Sequence, residues 1–230
     1  ATATLQVRDD IAKQLALQTP EVLVGSFDRA NLVYRVLVRT GLKEQIRRVL
    51  DRHPGEAGIV YCVSRKEVDT LARWLDELGH RALPYHAGLS NKIRRAHQEA
   101  FLEERTDVMV ATVAFGMGID RSNIRYVIHA GAPRSLEHYQ QESGRAGRDG
   151  LEAECVLLYS GSDFARWRQM LEQSGELSET ARRLLRDMER YAGGTRCRHR
   201  VLVEYFGQDY ADDTCGACDW CLRELERVDD

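Results

Sequence analysis

Between residues 57 and 160 four short apolar runs alternate with amphipathic stretches: GIVYCV (58–63), DVMVA (107–111), IRYVIHA (124–130) and ECVLLY (154–159). Runs that are apolar at nearly every position, rather than at every second one, belong to strands buried on both faces, and such strands are parallel and covered by helices. Between the first two runs Val68, Leu71, Ala72, Leu75 and Leu78 fall at helical spacing, with Ser64 and Glu67 set as a capping box at the start. A second helix is expected over 91–104, with Ile93, Ala96, Ala100 and Phe101 on one face. Residues 1–56 read as a lead-in: a helix near 8–18, an extended stretch near 22–38, and a helix near 42–51 closed by His53-Pro54-Gly55. The expected fold class is α/β, a parallel sheet flanked by helices.

Past residue 160 the strand signals stop, and helical patterns follow near 162–173, 178–191 and 197–206. The chain therefore divides, on expectation, into 1–160 and a small helical unit over 161–230. That unit is polarised: 178–207 carries seven arginines against four acids, and 208–230 eight acids against two arginines. Whether the arginine-rich helix at 178–191 touches nucleic acid or merely packs beside the larger unit cannot be read, and a solvated face is the safer reading. The whole chain of 230 residues has a formal charge of −3, so any nucleic-acid contact has to be a local groove rather than a general basic coat. No run approaches the ~20 uncharged apolar residues of a membrane span, and nothing at the N-terminus resembles a signal peptide. The expectation is a cytoplasmic protein with no membrane partner.

Four of the six cysteines crowd together: Cys197, then after seventeen residues Cys215, Cys218 and Cys221 at C-x-x-C spacing. Four thiolates within one short stretch match a closed tetrahedral structural Zn2+ site. His199 is an alternative ligand that a cysteine quartet does not need, and a redox CxxC would open a helix after a strand, which this one does not. Cys62 and Cys155 lie inside apolar runs and read as core residues. A unit this small gains its folding energy from the metal.

Gln141-Glu142-Ser143-Gly144-Arg145-Ala146-Gly147-Arg148-Asp149-Gly150 carries the most chemistry. Two arginines three apart, separated by small residues, can turn both guanidinium groups toward one anion, which suits phosphoryl transfer, where charge spreads over the γ-phosphate oxygens. The plainer reading is a pair of exposed arginines beside a flexible loop. Position favours the first, because the segment follows a strand ending at His129-Ala130-Gly131 and open α/β sheets bind ligands beyond the carboxyl ends of their strands.

This stretch resembles motif VI of superfamily 2 helicases, and QESGRAGRDG is its RecQ form. IVYCVSR (59–65) resembles motif IV, YHAGLS (85–90) the block after it, VATVAFGMGID (110–120) motif V, ATATL (1–5) the tail of motif III, and SFDRAN (26–31) the connection that follows. TRCRHRVLVEYFG and CGACDWC resemble the zinc-binding domain behind the second motor lobe of RecQ proteins. The resemblance covers essentially the whole chain and implies a RecA-like second lobe, plus zinc module, of an ATP-dependent 3′–5′ DNA helicase. Residue by residue it implies Arg148 as the γ-phosphate finger, Arg145 as a second phosphate contact, and Gln141 at the same nucleotide interface. Asp120 resembles the carboxylate that holds the ATP ribose, with Gly118 in the same block. Ser64, Arg65, Gly88 and Arg94 resemble backbone-tracking contacts to single-stranded DNA, which would be sequence-tolerant and salt-dependent. Thr112 resembles another such contact, with a helix cap as an equal alternative. Ala30 and Ser122 stand where many relatives have proline, which removes no chemical group.

No G-x-x-x-x-G-K-[ST] loop is present: none of the four lysines follows a glycine. Together with a first residue inside a motif, this gives the expectation of a fragment whose ATP and Mg2+ bind mainly to a missing N-terminal RecA-like lobe. Alone it should hydrolyse no ATP. Expected partners are that lobe and single-stranded or duplex DNA; a single-stranded-DNA-binding protein is an open possibility that the residues do not identify. A non-catalytic DNA- or protein-binding module and the lobe of an RNA helicase are the alternatives. The arginine pair argues against the first, and the cysteine quartet with the glutamine form of motif VI against the second.

Overall fold

The protein is described here as a computed structural model, over residues 5–16, 18–19, 21, 24–116 and 119–225. Its strands are β1 (Leu32–Val38), β2 (Ala57–Tyr61), β3 (Ala82–Tyr85), β4 (Val108–Ala111), β5 (Ile124–His129) and β6 (Ala153–Tyr159). Its helices are α1 (Leu5–Gln14), α2 (Leu42–Arg52), α3 (Arg65–Glu77), α4 (Asn91–Leu102), α5 (Leu136–Ser143), α6 (Gly161–Gln173), α7 (Glu179–Gly193) and α8 (Arg198–Tyr205). The strands form one sheet in the order β1-β6-β5-β2-β4-β3, and every pairing is parallel. Among the described residues no helix is long and apolar enough to cross a membrane.

Strand alternation splits the core in two. Val60 and Cys62 face α2 and α3 through Ile46, Val49, Leu50, Val68, Leu71, Ala72 and Leu75. Ile59, Tyr61, Met109, Val127, Cys155 and Leu157 face the other side, where Phe101, Tyr139, Phe164, Tyr191 and Leu202 come from α4 to α8. Both lone cysteines are thus core residues, as expected. In β2, Gly58 lies under the ring of Tyr126, and a Cβ there would sit 1.9 Å from that ring. Ser64 caps α3 as the sequence predicts: its hydroxyl accepts from Glu67 N at 3.3 Å, and the Glu67 carboxylate accepts from Ser64 N at 3.0 Å.

Three elements differ from expectation. The extended stretch resolves into a strand only over Leu32–Val38, which pairs with β6, so part of the lead-in is an edge strand of the sheet itself. β3 was not expected, because Pro84 weakens the strand signal. The sheet tolerates the proline because β3 lies at the opposite edge, where one side of the strand needs no donor. Helix α5 was also unexpected: SLEHYQQES has little apolar periodicity, and it is started by Ser135, whose hydroxyl accepts from His138 N at 3.3 Å.

The chain leaves β2 for the β3 edge, returns through β4, and only then crosses β2 to reach β5. The crossing is a topological switch point, and the crevice outside the carboxyl ends of the strands there is where an open α/β sheet binds ligands.

Candidate nucleotide and nucleic-acid site

Ser64, Gly88 and Thr112 follow the carboxyl ends of β2, β3 and β4, three neighbouring strands, and so line one edge of the sheet. Arg65 is exposed at the first turn of α3, and a Cβ on Gly88 would lie 3.3 Å from its Cδ, so the turn and the arginine are adjacent. The turn is held by His86, which accepts from Gly88 N at 3.1 Å and meets Asp69 Oδ1 through Nε2 at 2.9 Å. Arg94 on α4 is held by Asn91, and its Nε is buried with no partner among the described residues. It lines a groove of about 500 Å3 with Tyr85, Asn91, Arg95 and Gln98. Thr112 is half-buried and caps no helix; a turn follows it, in which its carbonyl accepts from Phe115 N at 3.0 Å.

The arginine loop begins where α5 ends. Arg145 donates to Gly116 O at 2.6 Å, and its Nε is buried with no partner among the described residues. Arg148 donates to Ile119 O at 2.9 Å and to Asp120 Oδ1 at 2.9 Å. Both guanidinium groups therefore rest on the single segment that follows β4, the same segment that carries Asp120. Gly118 lies outside the described residues. Asp120 has a side chain 89% exposed and Arg148 one 35% exposed, so this ion pair faces solvent. Gln141 is exposed on α5.

Several groups that fix this geometry were not singled out from sequence. Glu142, the residue between Gln141 and Ser143, is buried and meets His129 Nε2 at 2.8 Å, locking the end of α5 to the end of β5. Tyr61 stacks on His129 and donates to Phe115 O at 3.0 Å; burial pushes its hydroxyl well above the ordinary value despite the opposing Arg145, so it remains a donor. Gly147 has φ +55 and no room for a Cβ, which would lie 2.7 Å from Leu151 O and 2.5 Å from Asn31 Nδ2. Arg29 donates to Gly147 O at 2.8 Å and Ala146 O at 3.1 Å from behind the loop. The SFDRAN block held the signal for Arg29 and Asn31, two polar side chains just before an apolar strand.

Beside β1 the Sγ atoms of Cys197, Cys215, Cys218 and Cys221 all lie within 4.8 Å of one another. A tetrahedral ion with Zn–S bonds of about 2.3 Å needs sulfurs about 3.8 Å apart, so the cluster is close to the required size. Backbone amides of Arg198, Arg200, Ala217 and Cys221 point at these sulfurs at 3.4–3.5 Å, donors placed for thiolates rather than thiols. His199 is not a ligand: its two ring nitrogens meet Asp28 Oδ1 at 2.6 Å and Leu32 O at 2.9 Å. The cluster also seals the sheet edge, since Tyr34 N donates to Ala217 O at 3.1 Å and Asp219 N to Tyr34 O at 2.9 Å.

A parallel sheet flanked by helices, with an arginine loop resting on the segment after β4, matches the second, RecA-like lobe of a helicase. The comparisons agree: residues 41–150 match the helicase conserved C-terminal domain and residues 161–222 the RecQ zinc-binding family. The chain is 44% identical over 96% of its length to the ATP-dependent DNA helicase RecQ of Bacillus subtilis, and 41% identical over its full length to that of Pasteurella multocida. It spans 38% and 36% of those two proteins. In fold it resembles Saccharomyces cerevisiae Dbp5 bound to RNA and ADP BeF3, with a TM-score of 0.61, 15% identity, and coverage of 80% of this chain and 54% of that one. The chain belongs to the RecQ family, as its helicase C-terminal and zinc-binding region.

Proposed function

We propose that the chain is the second motor lobe and zinc module of an ATP-dependent 3′–5′ DNA helicase, completing from one side a nucleotide site whose phosphate-binding loop lies on another lobe. The observation that carries this reading is the convergence of Arg145, Arg148 and Asp120 on one segment at the switch point of the sheet. Arg148 is the finger. Its exposed pair with Asp120 is worth no more than about 1 kcal/mol, whereas an arginine finger contributes roughly 10³–10⁵ in rate, or about 4–7 kcal/mol. Exchanging Asp120 and Ile119 O for a γ-phosphate is therefore cheap, and it frees Asp120 for the ribose. Arg145 is more deeply set and contacts phosphate while holding Gly116, which links hydrolysis to the segment behind Thr112. Gln141 and Gly118 complete the nucleotide side, and Mg2+ accompanies the ATP. Ser64, Arg65, Gly88, Arg94 and Thr112 form the row that tracks a single DNA strand by its phosphates, and the strong salt dependence of such contacts follows. The four cysteines hold Zn2+, which supplies folding energy to the module.

The test uses the intact parent helicase. Arg148→Ala should lower kcat for DNA-stimulated ATP hydrolysis by about 10³-fold or more with DNA affinity kept, and Arg65→Ala should do the reverse. The isolated 230-residue chain should show no turnover with DNA or RNA. Turnover by the parent that survives Arg148→Ala, or that RNA stimulates in place of DNA, would overturn the assignment.

A further inference from the structure

Residues 25–31 form a strap with one end on the zinc module and the other on the arginine loop. At the loop, Arg29 donates to Gly147 O at 2.8 Å and Ala146 O at 3.1 Å, with a longer contact to Gly144 O at 3.4 Å. Asn31 Nδ2 adds bonds to Gly147 O and Leu151 O, both at 2.8 Å. These carbonyls lie on either side of Arg145 and at Gly147, the backbone that aims Arg145 and Arg148. One guanidinium thus fixes the back of the loop whose front carries two others. At the module, Asp28 meets His199 Nδ1 at 2.6 Å, Phe27 stacks on Phe206 at 4.8 Å, and Phe27 N donates to Gln208 Oε1 at 2.8 Å. Gln208 Nε2 returns a bond to Gly25 O at 3.0 Å. Every one of these module residues is on, or just past, the helix that Cys197 begins as its N-cap.

We propose that Arg29 is a positioning residue for the arginine loop, and that the strap makes the aim of Arg145 and Arg148 depend on the folded zinc module. The proposal rests on the motor reading above. Its physical basis is that Arg29 and Asn31 supply the side-chain donors to the loop's carbonyls at Ala146, Gly147 and Leu151, while Arg148 itself is held by Ile119 O and by a solvent-facing pair with Asp120. Loss of Arg29 takes the Arg29 donor from Ala146 O and leaves Gly147 O with only its bonds from Asn31 and Gly150 N, so the loop must turn the Ala146 carbonyl toward water. A misplacement of about 1 Å in a catalytic group costs on the order of 10²-fold in rate.

The experiment compares Arg29→Ala, Arg29→Lys, Asp28→Ala and Arg148→Ala in the intact parent, by ATP kinetics, zinc content and hydrogen exchange of the 144–151 backbone. Arg29→Ala should lower kcat about 10- to 100-fold, and adding it to Arg148→Ala should cost clearly less than it does alone, because it acts in part through that arginine. Arg29→Lys, with donors but no fork, should recover part of the loss. Asp28→Ala, which touches neither the loop nor a metal ligand, should speed exchange over 144–151 while the zinc content stays whole. An Arg29→Ala enzyme with normal kcat beside an impaired Arg148→Ala, or losses that simply add, would overturn the positioning role. Should Arg148→Ala itself be silent, the motor reading is what fails, and unchanged exchange over 144–151 in Arg29→Ala would then sink the strap as well.

Discussion

Gly147 and Gly150 stand three residues apart in the arginine loop and both have positive φ, +55 and +82, yet they serve for different reasons. Around Gly150 nothing lies within 4 Å of a built Cβ, so alanine there meets only the backbone cost of the left-handed region, roughly 1–2 kcal/mol. At Gly147 the same cost is joined by overlap with Leu151 O and with Asn31, the residue that braces the loop. Overpacking of this kind adds roughly 1–3 kcal/mol. Gly147→Ala should therefore unfold at clearly lower urea than Gly150→Ala, and it alone should also disturb the aim of Arg148. Equal midpoints for the two variants would show that the packing argument is wrong. The arginine pair with small residues between was legible as a phosphate-contact signal; which glycine is irreplaceable was not, because that depends on Asn31, 116 residues away.

At the scale of elements, the amino end of β6 shows what a strand run can hide. Glu154 reads in the sequence as the polar start of ECVLLY, but it is buried, with a side chain 5% exposed, and three basic groups converge on it: Arg52 at 2.6 Å, His53 at 3.0 Å and Arg35 at 3.1 Å. These join the middle of β1, the carboxyl end of α2 and the amino end of β6. Burial alone would raise the Glu154 carboxyl; the hydrogen bonds from His53 and Arg52 outweigh it and hold it down at about 2, against an ordinary 4.5. A depressed carboxyl contributes stability that is complete above pH 4.5 and disappears as the pH falls through about 2. His53 is raised against the pull of its burial, by Glu154 and Glu56, so its share runs the other way, complete below 6.5 and fading as the pH rises beyond. Glu154→Gln should cost on the order of 2–3 kcal/mol at pH 6. The gap from the parent sequence should close as both are taken from pH 4.5 toward 2. A gap independent of pH would mean that packing, not charge, makes Glu154 matter. Long periodic elements such as α3 were legible from their spacing alone, whereas α5 and β3 were not: one is a short polar helix, the other a proline-bearing edge strand, and both exist because the sheet needs a neighbour there.

For the whole molecule the zinc module is part of the sheet's edge rather than an appendage. The sequence announced the four cysteines by spacing, but not that residues 217–219 pair with β1, since nothing periodic links positions so far apart. Tyr34 N ends on Ala217 O, Val36 N on the buried Asp219 carboxylate at 2.9 Å, and Arg198 fixes that carboxylate at 2.8 Å. The segment that makes these bonds lies between Cys215 and Cys221, so its shape is set by the sulfurs. Drawing Zn2+ from the module with a chelator should then be felt across the lobe boundary. The amides of Tyr34 and Val36 should exchange with solvent much faster, while those of β2 and β4, paired on both sides inside the sheet, keep their protection. Asp219→Ala, with its four thiolates intact, should expose Val36 and leave a buried Arg198 without its partner, at a cost of about 3–5 kcal/mol. Chelation that loosened α7 and α8 yet left Tyr34 and Val36 protected would show that β1 holds its place without the metal, and that the module only decorates the edge it covers.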